Sequence, residues 1–415
     1  MSDIDACMHG RRRSCRGARA VLAVAFASAA TPACAGLEHE RIAFETGAKA
    51  AQPSITLDPS HGFVVTWQER DGDASALRFA LIDRDGGETR RGTVSSGKNR
   101  FVNGADFPSL AVLENGDWVT FWLEKTASGT YAYEIRTTRS RDAGRTWSAP
   151  LVVHRDATPT EHGFVSMTPA GADRVRLIWL DGRRMAATAD AHGEGGDEHM
   201  TLRSAVLGRD GRPQDEHELD ALTCACCQTD MARGSTSTLA VYRDRSDAEI
   251  RDVSVVAFDA AGPSPPRALH VDGWMMHGCP VNGPALAARG KRFLAVWPTM
   301  ATGAMAVRAA LGKGPVFDAP IALAEGADEL GRVDAAAFGD TGWLVSRVAT
   351  RERVPVLTLT LLSDSGARID ERTVASPVGG YPRLAVDGET ALVVHTEPLS
   401  GGGSAIGVLR VRVAD

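Results

Sequence analysis

The 415-residue sequence has no stretch in which apolar residues recur every 3.6 positions over three turns, which excludes amphipathic helices as its organising elements. It has no apolar run long enough to span a bilayer, because the one from Ala20 to Ala30 is too short. It has no excess of basic residues. Lys and Arg number 46 against 52 Asp and Glu, a net charge of −6, and no basic patch or stripe marks a nucleic-acid surface. No C-x-x-C-H segment is present to attach haem, and the C-x-C-C at Cys224 is not a zinc-ribbon spacing. What the chain does have is 43% hydrophobic residues, ample for a core, arranged with the period-2 alternation of strands.

The first 35 residues read as a signal peptide. Arg11, Arg12, Arg13, Arg16 and Arg19 form a positive segment, Ala20 to Ala30 is apolar, and Ala33-Cys34-Ala35 fits the small-x-small cleavage rule. The expected mature domain is 36–415, and losing five Arg and two Asp takes its net charge to −9. Lipidation at Cys34 is the competing reading, although Thr31 stands where a lipobox has Leu. The expected product is acidic, monomeric, without a transmembrane segment, and periplasmic or secreted.

One strand pair recurs along the mature chain. Its second strand ends in an aromatic and then a polar residue, at Trp67, Trp122, Trp179, Tyr242 and Trp297, with weaker copies at Ser346 and His395. The steps are 55, 57, 63, 55, 49 and 49 residues, which suits a four-stranded propeller blade with its loops. The pair at Ser109 to Trp122 turns through Asn115-Gly116, a hairpin signal. The seventh copy stops after three strands, and Glu40 to Phe44 is expected to supply the missing outer strand and close the ring. The fold class is an all-β propeller of seven four-stranded blades, with six as the alternative. The Gly-rich segment Ala191 to Glu198 reads as a long upper-face loop.

The turn Ser140-Arg141-Asp142-Ala143-Gly144-Arg145-Thr146-Trp147 has the form S-x-D-x-G-x-T-W. Ser and Asp side chains can bond the turn's own backbone, and Gly takes the positive φ it needs. This turn resembles the Asp box of the sialidase superfamily of β-propellers, in which the Trp plugs the space between the last two strands of a blade. Degenerate copies occur at Asp83-Arg84-Asp85-Gly86, Asp259-Ala260-Ala261-Gly262 and Asp364-Ser365-Gly366. The resemblance implies an active-site face where second strands end and inner strands begin, here called the upper face. It also implies a Tyr nucleophile, an acid and three Arg for the substrate carboxylate.

Catalytic candidates on that face are Asp181 or Asp244 as acid, Glu249 as partner to Tyr242 or Tyr381, and Arg243 and Arg251 as carboxylate holders. Ligand-binding candidates are Arg183, Arg245, Asn282 and Arg383. The sequence departs from the sialidase pattern at Asp106-Phe107-Pro108, where an Arg should stand, and it carries only one full Asp box. Tyr242 occupies the aromatic position that Trp fills in four other copies, which makes it a packing residue.

Removing the first 35 residues takes Cys7, Cys15 and Cys34 and leaves Cys224, Cys226, Cys227 and Cys279. In an oxidising compartment a bridge from C-x-C-C to Cys279 is expected, stapling copies four and five. The alternative is a soft-metal site for copper or zinc built from Cys224, Cys226, Cys227, His277 and Cys279. The expected function is recognition of a small ligand, glycan or protein on the upper face around copies three to five. An exo-sialidase-like hydrolase and a periplasmic metal-binding or redox protein are the alternatives.

Overall fold

In the computed structural model of the protein, residues 36–185, 199–340 and 342–414 are described. The signal segment and the loop Ala191 to Glu198 lie outside them. The described chain contains strands and turns and no α-helix. It folds as seven antiparallel sheets, one for each predicted copy.

Blade 1 runs through Ala50–Asp58, Gly62–Asp71, Ala74–Ile82 and Glu88–Gly97, and blade 2 through Leu110–Val112, Trp118–Lys125, Tyr133–Ser140 and Leu151–Val152. Blade 3 is His162–Pro169, Val175–Asp181, Met200–Leu207 and Pro213–Thr223. Blades 4 and 5 have inner strands Asp230–Arg233 and Ala285–Arg289 and outer strands split into two short pieces. Blade 6 spans Glu329–Phe338 to Arg368–Ala375. Blade 7 takes Gly379–Asp387, Thr390–Pro398 and Ser404–Val413 from the C-terminus and Leu37–Ile42 from the N-terminus. The closing strand therefore lies a few residues earlier than Glu40 to Phe44, in register Leu37 to Val413 and Ile42 to Val408.

Two repeated devices hold the ring. At the end of each of the first three second strands, an indole N–H donates to the acid two residues on. Trp67 bonds Glu69 at 3.0 Å, Trp122 bonds Glu124 at 2.9 Å and Trp179 bonds Asp181 at 2.7 Å. A buried indole needs such an acceptor. The second device links blades. Asp106, Asp230 and Asp334, near the starts of inner strands, accept the backbone N–H of Phe164, Leu286 and Leu384 in the next blade, at 2.8, 2.7 and 2.8 Å.

The Asp box closes as its residue types require. Asp142 accepts the Thr146 N–H at 2.8 Å, Ser140 Oγ accepts the Gly144 N–H at 2.8 Å, and Gly144 has φ +84°. Its Trp corrects the expectation of a plug within one blade. The Trp147 ring meets Phe79 of blade 1 at 6.0 Å and Trp118 at 6.4 Å, so it seals the seam between blades 1 and 2.

Candidate functional site

The connections between an outer strand and the next inner strand cross the upper face. Those leading into blades 4 and 5 carry Cys224 to Cys227 and Trp274 to Cys279. They meet through a disulfide between Cys226 and Cys279, whose Cα atoms are 6.1 Å apart. As long as it stands, neither sulfur is a thiolate ligand for a metal. Cys224 and Cys227 are free and buried. Their sulfurs are 3.5 Å apart, and Cys224 Sγ lies 4.0 Å from the bridged Cys226 sulfur. Cys227 Sγ also accepts the Asn282 N–H at 3.4 Å.

Arg243 shapes the electrostatics of this cluster. It is 1% exposed and donates to three backbone carbonyls: Arg251 O at 2.6 Å, Asn282 O at 2.8 and 3.1 Å, and Pro298 O at 2.7 Å. Its guanidinium stacks 4.7 Å from the Trp274 ring centroid. Among the described residues no carboxylate pairs with it. A buried cation without a carboxylate favours a nearby anion, and the available group is the Cys224 thiol. The hydrogen bond from Cys227, and the charges of Arg251 and Arg243, bring Cys224 down to about 6 against the opposing effect of burial. Burial pushes Cys227 the other way. The two thiols are pushed in opposite directions, Cys224 down and Cys227 up.

The other charged candidates are committed to one another. Glu249 joins Arg245, at 2.5 Å, to Arg251, at 2.5 Å. Asn282 is 4% exposed, donates to Leu330 O at 2.8 Å and accepts the Arg332 N–H at 2.9 Å. Arg383 points into the central channel beside Asp334, at 3.4 Å, lining a cavity of about 190 Å³ with Asp106 and Asp230. Tyr242 is buried and bonds Asp220. Burial and the charge of Asp220 push Asp244 up to about 6, and Asp244 accepts a bond from Ser254 at 2.8 Å. His277 is exposed on the loop.

Asp181 is held in its ionised form. Burial alone would raise its pKa, but the hydrogen bonds from Arg183, at 2.7 and 2.8 Å, and the charges of His162 and Arg183 bring it below the usual carboxylate range. Arg183 also reaches Glu216, at 2.9 Å, and Asp156, at 3.4 Å.

Two constellations have no mark in the sequence pattern. In the first, the Tyr133 hydroxyl lies 2.9 Å from Asp106 Oδ2 and 2.7 Å from Glu161 Oε1, all three groups being buried. In the second, His154 and His162 stack with centroids 3.7 Å apart, bridged by Asp156 at 2.7 and 3.0 Å. His162 Nδ1 faces two carbonyl oxygens, at 3.0 and 3.2 Å, and its Nε2 faces Asp156, so both nitrogens carry protons. The charges of His162, Arg183 and Arg203 face those of Asp156, Asp181 and Glu216, and the ligand atoms of His154, Asp156 and His162 lie within 4.8 Å of one another.

In sequence, no family model and no curated protein matches the chain. Solved structures share its fold. A protein of unknown function from Dyadobacter fermentans matches with a TM-score of 0.54 at 11% identity, over 91% of this chain and 100% of that one. Polysaccharide lyase Uly1 matches with a TM-score of 0.50 at 8% identity, over 90% and 92%. Trypanosoma rangeli sialidase, in complex with the inhibitor DANA, gives 0.45 at 9% identity, over 90% of this chain and 59% of that one. At such identities the likeness concerns fold alone, and the fold of this chain is a seven-bladed β-propeller.

Proposed function

We propose that the protein is an extracytoplasmic redox protein that recognises a thiol or disulfide partner at its upper face over blades 4 and 5. The observation that carries this reading is the Cys224/Cys227 pair, in C-x-x-C spacing with sulfurs 3.5 Å apart, beside a buried guanidinium that has no carboxylate partner. A disulfide in the same chain fits an oxidising compartment. In the reaction, the Cys224/Cys227 dithiol closes to a Cys224–Cys227 disulfide while a partner disulfide opens to two thiols. Two electrons and two protons leave the dithiol.

The hydrolase reading has less support. A substrate carboxylate needs free guanidinium forks, and Arg243, Arg251 and Arg383 are held by carbonyls, Glu249 and Asp334. Tyr242 as nucleophile would have to leave a buried bond to Asp220.

Intact mass with thiol labelling tests the proposal. Purified protein should be about 2 Da lighter than the fully reduced chain and label at Cys224 and Cys227 once unfolded, and mild oxidation should remove about 2 Da more. Four labelled thiols with stoichiometric copper or zinc would overturn it in favour of a metal site at the same sulfurs. A dithiol that resists hydrogen peroxide and disulfide oxidants alike would also overturn it.

A further inference from the structure

Cys224 is 0% and Cys227 1% exposed, so a partner's sulfur cannot reach either one directly. Cys226 is 8% exposed. Cys279, at the far end of the disulfide, is exposed. The sulfurs of Cys224, Cys226 and Cys227 thus lie within 4.8 Å of one another, and the disulfide leads from Cys226 to the exposed Cys279. The loop that presents Cys279 is also apolar. Val271 is 74% exposed, Met275 61% and Val281 37%, three of the eight large hydrophobic residues exposed in the described chain, all within eleven positions. The loop is anchored rather than loose: Asp252 accepts the N–H of Gly273 at 2.9 Å and of Trp274 at 3.0 Å, and Glu249 O accepts that of Met276 at 3.0 Å. A fixed loop that carries this exposed apolar collar together with a disulfide sulfur is a surface for a protein rather than a place of rest for solvent-exposed side chains.

We infer that Cys226–Cys279 is an exchange relay rather than a staple, and that Val271, Met275 and Val281 seat a protein partner bearing a reactive C-x-x-C disulfide or dithiol. The inference rests on the redox reading above and names its partner. Inside the protein, the Cys224 thiolate attacks Cys226 Sγ, 4.0 Å away, and the Cys226–Cys279 bond breaks with Cys279 leaving as thiolate. Cys227 gives its proton to solvent and attacks Cys224 Sγ, 3.5 Å away, and Cys226 leaves as a thiolate that takes up a proton. One disulfide has broken and one has formed, with no net change in electrons. Cys279, now outside and reduced, attacks the partner's disulfide. Cys226 resolves the mixed disulfide, the partner departs as dithiol, and Cys226–Cys279 is restored. The partner takes the two electrons that the buried pair has lost.

The test uses the whole mature protein and thioredoxin whose resolving cysteine is replaced by Ser, so that its remaining thiol traps the sulfur it attacks. Peptide mass mapping should place the adduct on Cys279, and an adduct on Cys224, Cys226 or Cys227 would overturn the relay. Met275→Glu should slow adduct formation about tenfold while leaving reduction by glutathione unchanged, since only the protein probe uses the collar. Equal rates for both reductants in Met275→Glu and the parent would sink the docking surface. In the Cys226→Ser/Cys279→Ser protein, oxidation of Cys224/Cys227 by oxidised glutathione should slow about 100-fold, with hydrogen peroxide unaffected. If that double variant does not fold, the adduct position in the parent decides alone. The dithiol's response to peroxide separates the two readings. No loss of mass with peroxide removes the redox reading itself, whereas loss of mass with a misplaced adduct removes only the relay.

Discussion

Glu161→Gln should flatten the pH dependence of stability between about pH 5 and 8. The reasoning starts from counting protons. The Tyr133 hydroxyl has one hydrogen and two carboxyl neighbours, Asp106 at 2.9 Å and Glu161 at 2.7 Å. Asp106 takes the Phe164 N–H on its other oxygen at 2.8 Å, and that bond and the one from Tyr133 oppose burial, which pushes it up to about 7. With Tyr133 donating to Asp106, the contact to Glu161 needs a proton on Glu161, the higher of the two carboxyls. Burial pushes Glu161 up to about 8, the charge of Asp106 adds to this, and the bond to Tyr133 opposes it. A carboxyl whose folded pKa lies above its unfolded one keeps a proton that the unfolded chain has shed. Its stabilising effect is complete below the unfolded value of 4.5 and is lost as pH rises to the folded value near 8. The slope is about 1.4 kcal/mol per pH unit, or about 4 kcal/mol across pH 5 to 8 as a ceiling.

In the Gln variant the amide donates to the Tyr133 oxygen without ionising, so all the hydrogen bonds remain and the share of the slope that Glu161 contributes disappears. Asp106, pushed up by burial to about 7, keeps its own share in both proteins. Urea unfolding followed by tryptophan fluorescence at pH 5, 6, 7 and 8 measures this directly. The two proteins should be nearly equal at pH 5, and the variant should be the more stable by a few kcal/mol at pH 8. His162 gives a background of the same sign. Burial opposes its charge, but Asp156 and Asp181 raise it, so its contribution also falls as pH rises through its folded pKa. That background is common to both proteins, and the difference between the curves isolates Glu161. Parallel curves would refute the argument, because they would mean that Glu161 is already ionised in the folded state.

Arg243→Met should cost about 3–5 kcal/mol, because it strips the donors from three buried carbonyls, and calorimetry should show the fall in Tm. Asp334→Ala should cost about 1–3 kcal/mol by orphaning the Leu384 N–H and leaving Arg383 unpaired in the channel, read as a lower urea midpoint. Gly144→Ala should cost about 2 kcal/mol or more in the same assay. It places a Cβ 2.6 Å from the Phe79 ring at φ +84°, and a neutral result would show that the seam can yield.

The architecture was legible because five of the seven blades repeat a Trp or Tyr at the end of the second strand. The same repeat held a clue that was read differently. Glu69, Glu124 and Asp181 each stand two residues after a Trp, and each accepts its indole N–H. Asp181 is one of that series and accepts the Trp179 indole N–H. The cysteine pairing was only partly legible. The sequence brings the two connections together at blades 4 and 5, but which sulfurs meet depends on how each loop turns, and no spacing encodes that. Asp106, Tyr133 and Glu161 come from three separate connections and strands. Their meeting is a product of blade-to-blade packing, so no local pattern announces it. Asp106 was noticed only as the residue standing where an Arg was expected.

The pairing of Leu37–Ile42 with Ser404–Val413 sets the timetable of folding. Residues made among the first must wait for residues made among the last, since Leu37 has its strand partner at Val413. Until then blade 7 cannot be completed, and the open edge remains available to other chains. Six blades can form from neighbouring sequence as it appears, and the seventh acts as a clasp that only the finished polypeptide can fasten. A chain without either strand is therefore a ring that does not shut, whereas Leu37–Ile42 and Ser404–Val413 together close it in a single sheet.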